Sequence, residues 1–244
     1  MATKHISREK IISAFLFCAF DKNVGATSLQ DIAEYLGIKK ASLYNHFAGR
    51  DEMYEATLNY CRDYCEKLSF IPENFMKLDL FQKKTLVEVM NSLIRRYIQM
   101  YETEPLFQIF AFVHSEKYFN KEAADIAERE LQKLEYGISQ IFLIYCNDKK
   151  VGLSPAELDC AVKWFSSAFM QQIDSYIMNK KEIVRQNPEC GAGSLFALPT
   201  DDSILEKIYF LSENYLQSNS KYSCDVLYLF TQFCIHSVNL FLFY

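Results

Sequence analysis

Apolar residues recur every three or four positions over most of the 244 residues, and no bounded stretch alternates with the two-residue period of a strand. Ile11, Phe15 and Ala19 step along one side of a helix expected from Ser7 to about Lys22, and Asn23-Val24-Gly25 reads as a turn. Leu29, Ile32, Ala33 and Leu36 then mark the buried face of a short second helix. Ser28 opens it as N-cap, and Asp31 three residues later makes an acidic variant of the capping box. Gly37 fits the residue after that helix, where the backbone turns left-handed and glycine does so without strain. A third helix is expected from Lys39 to Phe47, burying Leu43 and Phe47. A fourth runs from Arg50 to Leu68, with Tyr54, Leu58, Cys61, Cys65 and Leu68 on one stripe.

Further along, Asp79-Leu80-Phe81-Gln82 has capping-box form and opens a helix to about Tyr101. Glu104-Pro105 ends it and begins an aromatic segment, Leu106 to Tyr118. Asn120 caps an amphipathic helix to about Tyr145, with Ala127, Leu131, Leu134, Ile138 and Ile141 inward. Ser154-Pro155-Ala156-Glu157 supplies the next start, with Ser at N-cap, Pro at N1 and Glu at N3. The helix it opens, to about Val184, is apolar on much of its circumference, which implies contact on two sides. Residues 187–200 are loop-like, and Thr200 or Asp201 caps a helix over about 202–217. From Cys224 to Tyr244 the one charged residue is Asp225. Length alone permits a membrane span there, but Thr231, Gln232, His236, Ser237 and Asn239 recur through it and no basic cluster follows. A packed or dimer-interface helix, membrane attachment and a disordered tail all stay open for this stretch. The fold class is all-α.

Composition agrees: half the residues are hydrophobic, 15% are aromatic, and only 7 are glycine and 5 proline. The net charge of -5 is unevenly spread. Residues 1–50 hold seven Lys/Arg against four Asp/Glu, so the acidic excess lies in the remainder. A basic end on an acidic chain fits one that offers that end to a polyanion. The eight cysteines lie scattered in apolar runs without ligand spacing, which favours a reduced, cytoplasmic chain over a disulfide scaffold or zinc site. Cys61 and Cys65, at i and i+4, either pack or sense oxidants or metal. No signal-peptide pattern is visible, since the early apolar run carries Asp21 and Lys22.

The second and third helices carry the chemistry. A tight helix pair whose second member is short, basic and rich in hydrogen-bonding side chains is a helix-turn-helix. Lys40 suits phosphate or guanine edges, Ser42 reaches either, and Asn45 reads adenine or contacts backbone. Thr27 and Ser28 stand at a helix N-terminus whose N–H groups and dipole attract phosphate. Lys4, His5 and Arg8 either touch DNA backbone or stand as solvated charges. Arg50 is a phosphate contact or one half of a surface ion pair.

The run T-S-x-x-D-I-A-x-x-L-G-I-x-K-A-S-L-Y-x-H-F-x-x-R-D-E-M, Thr27 to Met53, resembles the DNA-binding segment of the TetR (tetracycline-repressor) family of bacterial regulators. The resemblance covers about the first quarter of the chain. It implies a three-helix helix-turn-helix DNA-binding domain over residues 4–64, with the motif at about 28–47, followed by a helical ligand-binding and dimerisation domain over 65–244. It implies that Tyr44 and His46 clasp phosphates beside the groove, adding them to Thr27, Ser28, Lys39, Lys40, Ser42, Asn45 and Arg50 as DNA-binding residues. Lys39 and Gly49 depart from the family, which often has capping Ser or Thr at these places; the lost cap costs the third helix about 1 kcal/mol.

By the same resemblance, the helices at 155–184 and 202–217 pair with their copies in a homodimer that reads a palindromic operator, and a small molecule in the body moves the heads. Tyr97, Phe107, Phe110, His114, Tyr136, Trp164, Phe165 and Phe169 are the candidate ligand-binding residues, each either pocket lining or core. Trp164 and His114 lead because each needs a polar partner when buried. The expected function is a homodimeric, ligand-released repressor without catalytic activity or cofactor. The alternative is a membrane-associated or ligand-binding helical scaffold that keeps the motif only as structure. An enzyme is disfavoured, because the four histidines lie far apart and no nucleophile elbow, metal spacing or phosphate loop is visible.

Overall fold

A computed structural model describes residues 6–72, 75, 84–147, 154–186, 206 and 209–210. Among the described residues the long regular elements are α1 (Arg8–Lys22), α2 (Leu29–Leu36), α3 (Lys40–Leu43), α4 (Arg50–Glu66), α5 (Leu86–Tyr101), α6 (Leu106–Glu116), α7 (Lys121–Asn147) and α8 (Pro155–Gln186). None of the described helices is long and apolar enough to cross a membrane. Lys4, His5, the loop at 187–200, most of the expected helix at 202–217 and the apolar stretch 224–244 lie outside the described residues.

The caps follow the local chemistry. Ser7 caps α1 by accepting from the Lys10 N–H. At α2 the whole capping box forms: Ser28 Oγ accepts from the Asp31 N–H, and the Asp31 carboxylate accepts from the Ser28 N–H at 2.8 Å. Gly37 ends α2 at φ 67°, in the left-handed region. Asn120 and the Ser154–Glu157 pair cap α7 and α8 as expected.

Three boundaries differ. The third helix is α-helical only over Lys40–Leu43, and the chain goes on through Tyr44–His46 in turns with i to i−3 bonds such as His46 N–H to Leu43 O at 2.9 Å. Lys39 supplies no side-chain cap, and side chains from elsewhere claim the last peptide groups: Arg8 binds the His46 carbonyl and Glu52 binds the Ala48 N–H. The helix expected from Asp79 begins instead at Leu86. Thr85 and Glu88 form its capping box, while residues 79–83 lie outside the described residues. The fourth helix ends at Glu66, two residues early, in a turn through Leu68.

The chain divides into two compact units. The first comprises Met1–Leu68, Ile98–Gln132 and Ile177–Pro199; the second comprises Ser69–Tyr97, Lys133–Tyr176 and Thr200–Tyr244. In the first, α1 is central and packs on α2, α4 and α6, while α3 packs on α2. Ile11, Phe15, Leu16, Ile32, Leu43, Phe47, Met53 and Leu58 make its core, joined by Ile109, Phe112 and Val113 of α6. In the second, Phe70, Tyr97, Phe142, Phe165 and Phe169 are buried, and Tyr145 donates to the Lys84 carbonyl at 2.8 Å.

Candidate nucleic-acid interface

Helical spacing divides the segment 39–47 into two sides. Leu43 and Phe47, at i and i+4, are buried in the core of the first unit. Lys40 and Tyr44, also at i and i+4, face outward with Lys39 and Asn45, and the Tyr44 ring is 51% exposed. Ser42 and His46 are half-buried at the edges of that face. Six of the nine expected DNA-binding residues therefore lie on one continuous stretch, four of them open to solvent. Lysines there supply positive charge, and Tyr44, Asn45 and Ser42 supply directional hydrogen bonds.

The other three are placed differently. Ser28 is exposed, but its hydroxyl and N–H are occupied with Asp31. Thr27 is 1% exposed, and its hydroxyl donates inward to the Asn23 carbonyl at 2.7 Å. Arg50 is half-buried, and among the described residues no carboxylate pairs with it. Its guanidinium donates to the carbonyls of Thr27 (3.1 Å) and Val24, tying the turn before α2 to the start of α4. The arrangement has a local cause: two carbonyls of an irregular turn need donors, and a five-donor fork supplies them.

Arg8 stays exposed but is engaged by its own chain. It lies over the Phe47 ring at 4.1 Å, donates to the His46 carbonyl at 2.6 Å and pairs with Glu52 at 2.9 Å. Glu52 in turn accepts from the Ala48 N–H, and this bond, with Arg8 second, holds its carboxyl below the ordinary value. Arg8 and Glu52 so fix the end of the outward-facing segment from behind. At the other end Lys22 pairs with Asp31, whose carboxyl is held well below the ordinary range first by Lys22 and then by the Ser28 N–H and hydroxyl. Two ties join α4 to later helices of the same unit, Tyr54 to Glu116 at 2.9 Å and Arg62 to Glu122 at 3.1 Å. Burial first, and Glu116 next, push the Tyr54 phenol well up.

Of the eight candidate ligand residues, Phe107, Phe110 and His114 fall in the first unit and the other five in the second. Tyr97, Phe107, Phe110, Phe165 and Phe169 are buried. Tyr136 and Trp164 are not: at 67% and 53% exposed they face outward, because the buried stripes of their helices run through Leu134, Gly137 and Ile138, and through Val162, Phe165 and Phe169. His114 does find a polar partner, Glu130 at 3.4 Å, and stacks on Phe110 at 3.9 Å. Glu130, 6% exposed and also accepting from the Tyr101 hydroxyl, is not among the residues that the sequence singles out. The available signal was its helical register with Ala123, Ile126 and Leu134. Cys61 and Cys65 are both buried, and burial pushes the Cys61 thiol well up, away from the reactive thiolate.

Residues 11–57 match the family described as "Bacterial regulatory proteins, tetR family". Over 105 residues the chain is 30% identical to the biofilm operon icaADBC HTH-type negative transcriptional regulator IcaR of Staphylococcus aureus (strain Newman), a match covering 41% of this chain and 56% of that protein. The chain thus spans about half the length of the curated relatives it matches. Its fold aligns with a TetR transcription regulator from Haloarcula marismortui at a TM-score of 0.51 and 12% identity, over 87% of this chain and 97% of that one. It aligns equally, at 0.51 and 17% identity over 84% and 96%, with AibR, solved in complex with isovaleryl coenzyme A and operator DNA. At such identities the likeness is one of fold.

Proposed function

We propose that this chain, whose residues 11–57 match the tetR family of bacterial regulatory proteins, is a homodimeric cytoplasmic repressor that lays Lys39–Phe47 in the major groove of a palindromic operator and is released by a small, largely apolar effector. The observation that carries the reading is the two-sided segment itself. Leu43 and Phe47 are sealed in the core while Lys39, Lys40, Tyr44 and Asn45 stand uncovered together. Lysines at the groove release counterions and supply affinity; Tyr44 and His46 orient the helix against phosphates, and Ser42 and Asn45 reach base edges. Arg8, Glu52 and Arg50 act behind the face as positioning residues.

The curated relative is a negative regulator, which favours repression over activation. For the dimer, support comes from α8, where Trp164, Ala168 and Gln171, at i, i+4 and i+7, form an exposed strip without charge. A second copy of the same helix fits such a strip, since two-fold pairing brings like surfaces together. Trp164 is accordingly assigned to the dimer contact and no longer to a pocket.

The test is salt-dependent binding to DNA fragments selected from the source genome, read by fluorescence anisotropy. Lys40→Ala and Tyr44→Phe should each weaken binding while the dimer mass in light scattering stays unchanged. Unaltered affinity in both variants would remove the segment from the interface.

A further inference from the structure

We propose that the aromatic cluster around Phe70 is the effector site of this chain, and that its ligand is an arylalkanoate, a ring joined by a short chain to a carboxylate, which takes the place Phe70 now holds. This assignment rests on the regulator reading above and names the chemistry of the effector.

Phe70 comes from an irregular segment four residues beyond the end of α4, yet it is 2% exposed. Its ring stands edge-on to Tyr97 of α5 at 5.3 Å and to Phe169 of α8 at 6.2 Å. Its side chain presses on α7 at Gly137, where an added Cβ would stand 3.1 Å from the Phe70 Cβ and 3.3 Å from its ring edge. Three helices of the second unit thus form a seat for one benzyl group, and a short non-helical segment fills it. Neighbours of the seat, such as Phe165 beside Phe169, continue the apolar lining.

Beside the seat is a cation. Arg96 donates to the carbonyls of Ser69 (3.0 Å) and Phe70 (3.1 Å), and among the described residues no carboxylate pairs with it. The planar fork of a guanidinium can also bind a carboxylate, through two parallel bonds. Here two neutral carbonyl dipoles stand in that position. Burial lowers the pKa of Arg96 from its ordinary value.

Taken together, Phe70 presents a carbonyl oxygen on Arg96, two carbons and a phenyl ring in the cluster. Those are the atoms of 3-phenylpropanoate, except that the ligand brings a full negative charge where the chain brings a dipole. The chain's own copy is tethered and always at hand, so the free ligand meets a competent site only in the fraction of molecules with Phe70 withdrawn, and its apparent affinity falls by that fraction. Displacement frees the carbonyls of the two residues that follow α4 by three and four positions, a covalent route from occupancy to α4.

Titration calorimetry on the full chain tests this with 3-phenylpropanoate, 3-phenylpropanol and 3-phenylpropylamine. The carboxylate should bind and the alcohol and amine should bind at least about tenfold more weakly. Arg96→Gln should weaken the carboxylate by about tenfold or more, and Phe70→Ala should tighten it by about tenfold, because the internal competitor is gone. Phe70→Leu, which keeps much of the apolar volume, should shift in the same direction and serves if the alanine variant does not fold. Equal binding of the three probes, no heat from the carboxylate in the wild type or the Phe70 variants, or weaker binding in the Phe70 variants each overturns the site. DNA binding without ligand is measured separately: its loss would sink the regulator reading while leaving the calorimetry interpretable.

Discussion

Replacing Arg50 with alanine separates two roles that the same residue could play. In the structure its guanidinium serves the carbonyls of Thr27 and Val24, and its carbon stays 5.9 Å from the Phe15 ring centre. A hydrogen bond from a charged donor is worth about 1.5–3 kcal/mol. The Val24 carbonyl also accepts from the Thr27 N–H at 3.3 Å, so one of the two losses is cushioned. Arg50→Ala should then cost about 3 kcal/mol. For a chain of this size each kcal/mol moves Tm by about 2–4 °C, so the melt should fall by roughly 6–12 °C. The DNA arm gives the discriminating number. A side chain that neutralises one phosphate contributes about 0.9 to the slope of log K against log salt. Lys40→Ala should remove about that much with little change in Tm, whereas Arg50→Ala should leave the slope alone in conditions where the head is folded. A slope reduced by about one unit with an unchanged melt would mean that Arg50 reaches phosphate, and the tie to the turn would be wrong.

Acid should loosen the head. The carboxyls of Asp31 and Glu52 lie below their ordinary values of 3.8 and 4.5, so their stabilisation is complete above those values and is lost as the pH falls through the lower folded ones. Melts followed by circular dichroism should be level down to about pH 5 and decline below it, and an Asp31→Asn, Glu52→Gln double variant should decline less steeply; identical acid limbs refute this. Lys39→Ser should restore a side-chain cap to α3 and raise stability by up to about 1 kcal/mol while weakening DNA binding; tighter binding would show that Lys39 makes no useful contact. Trp164→Glu should halve the mass seen in light scattering with the helical signal intact, and a persistent dimer would take α8 out of the interface.

Much of the head was legible because its determinants are local. Ser28, Asp31 and Gly37 set the two ends of α2 through bonds that reach no further than a few residues, and those geometries form as their order implies. The spacing of Ile11, Phe15, Ile32, Leu43 and Phe47 likewise picks out inward residues, all of which are buried. Local signals misled where a peptide group was claimed from far away. α3 stops after Leu43, and the His46 carbonyl just beyond it is bound by Arg8, 38 residues away along the chain.

An order of residues settles which stretches are helical, where they are capped, and which side of the basic segment at 39–47 is apolar, since each depends on neighbours within a turn or two. It does not settle which of several polar residues turn inward. Arg50 reads as a surface charge, and Trp164 and Tyr136 as pocket or core rings, until packing assigns each helix its partners. The same holds for Glu130 beneath His114 and for Phe70 on Gly137, contacts made between segments 16 and 67 residues apart. Helical periodicity fixes the angle between residues on one helix, but the rotation of that helix against the others is chosen by the sum of all buried surfaces at once.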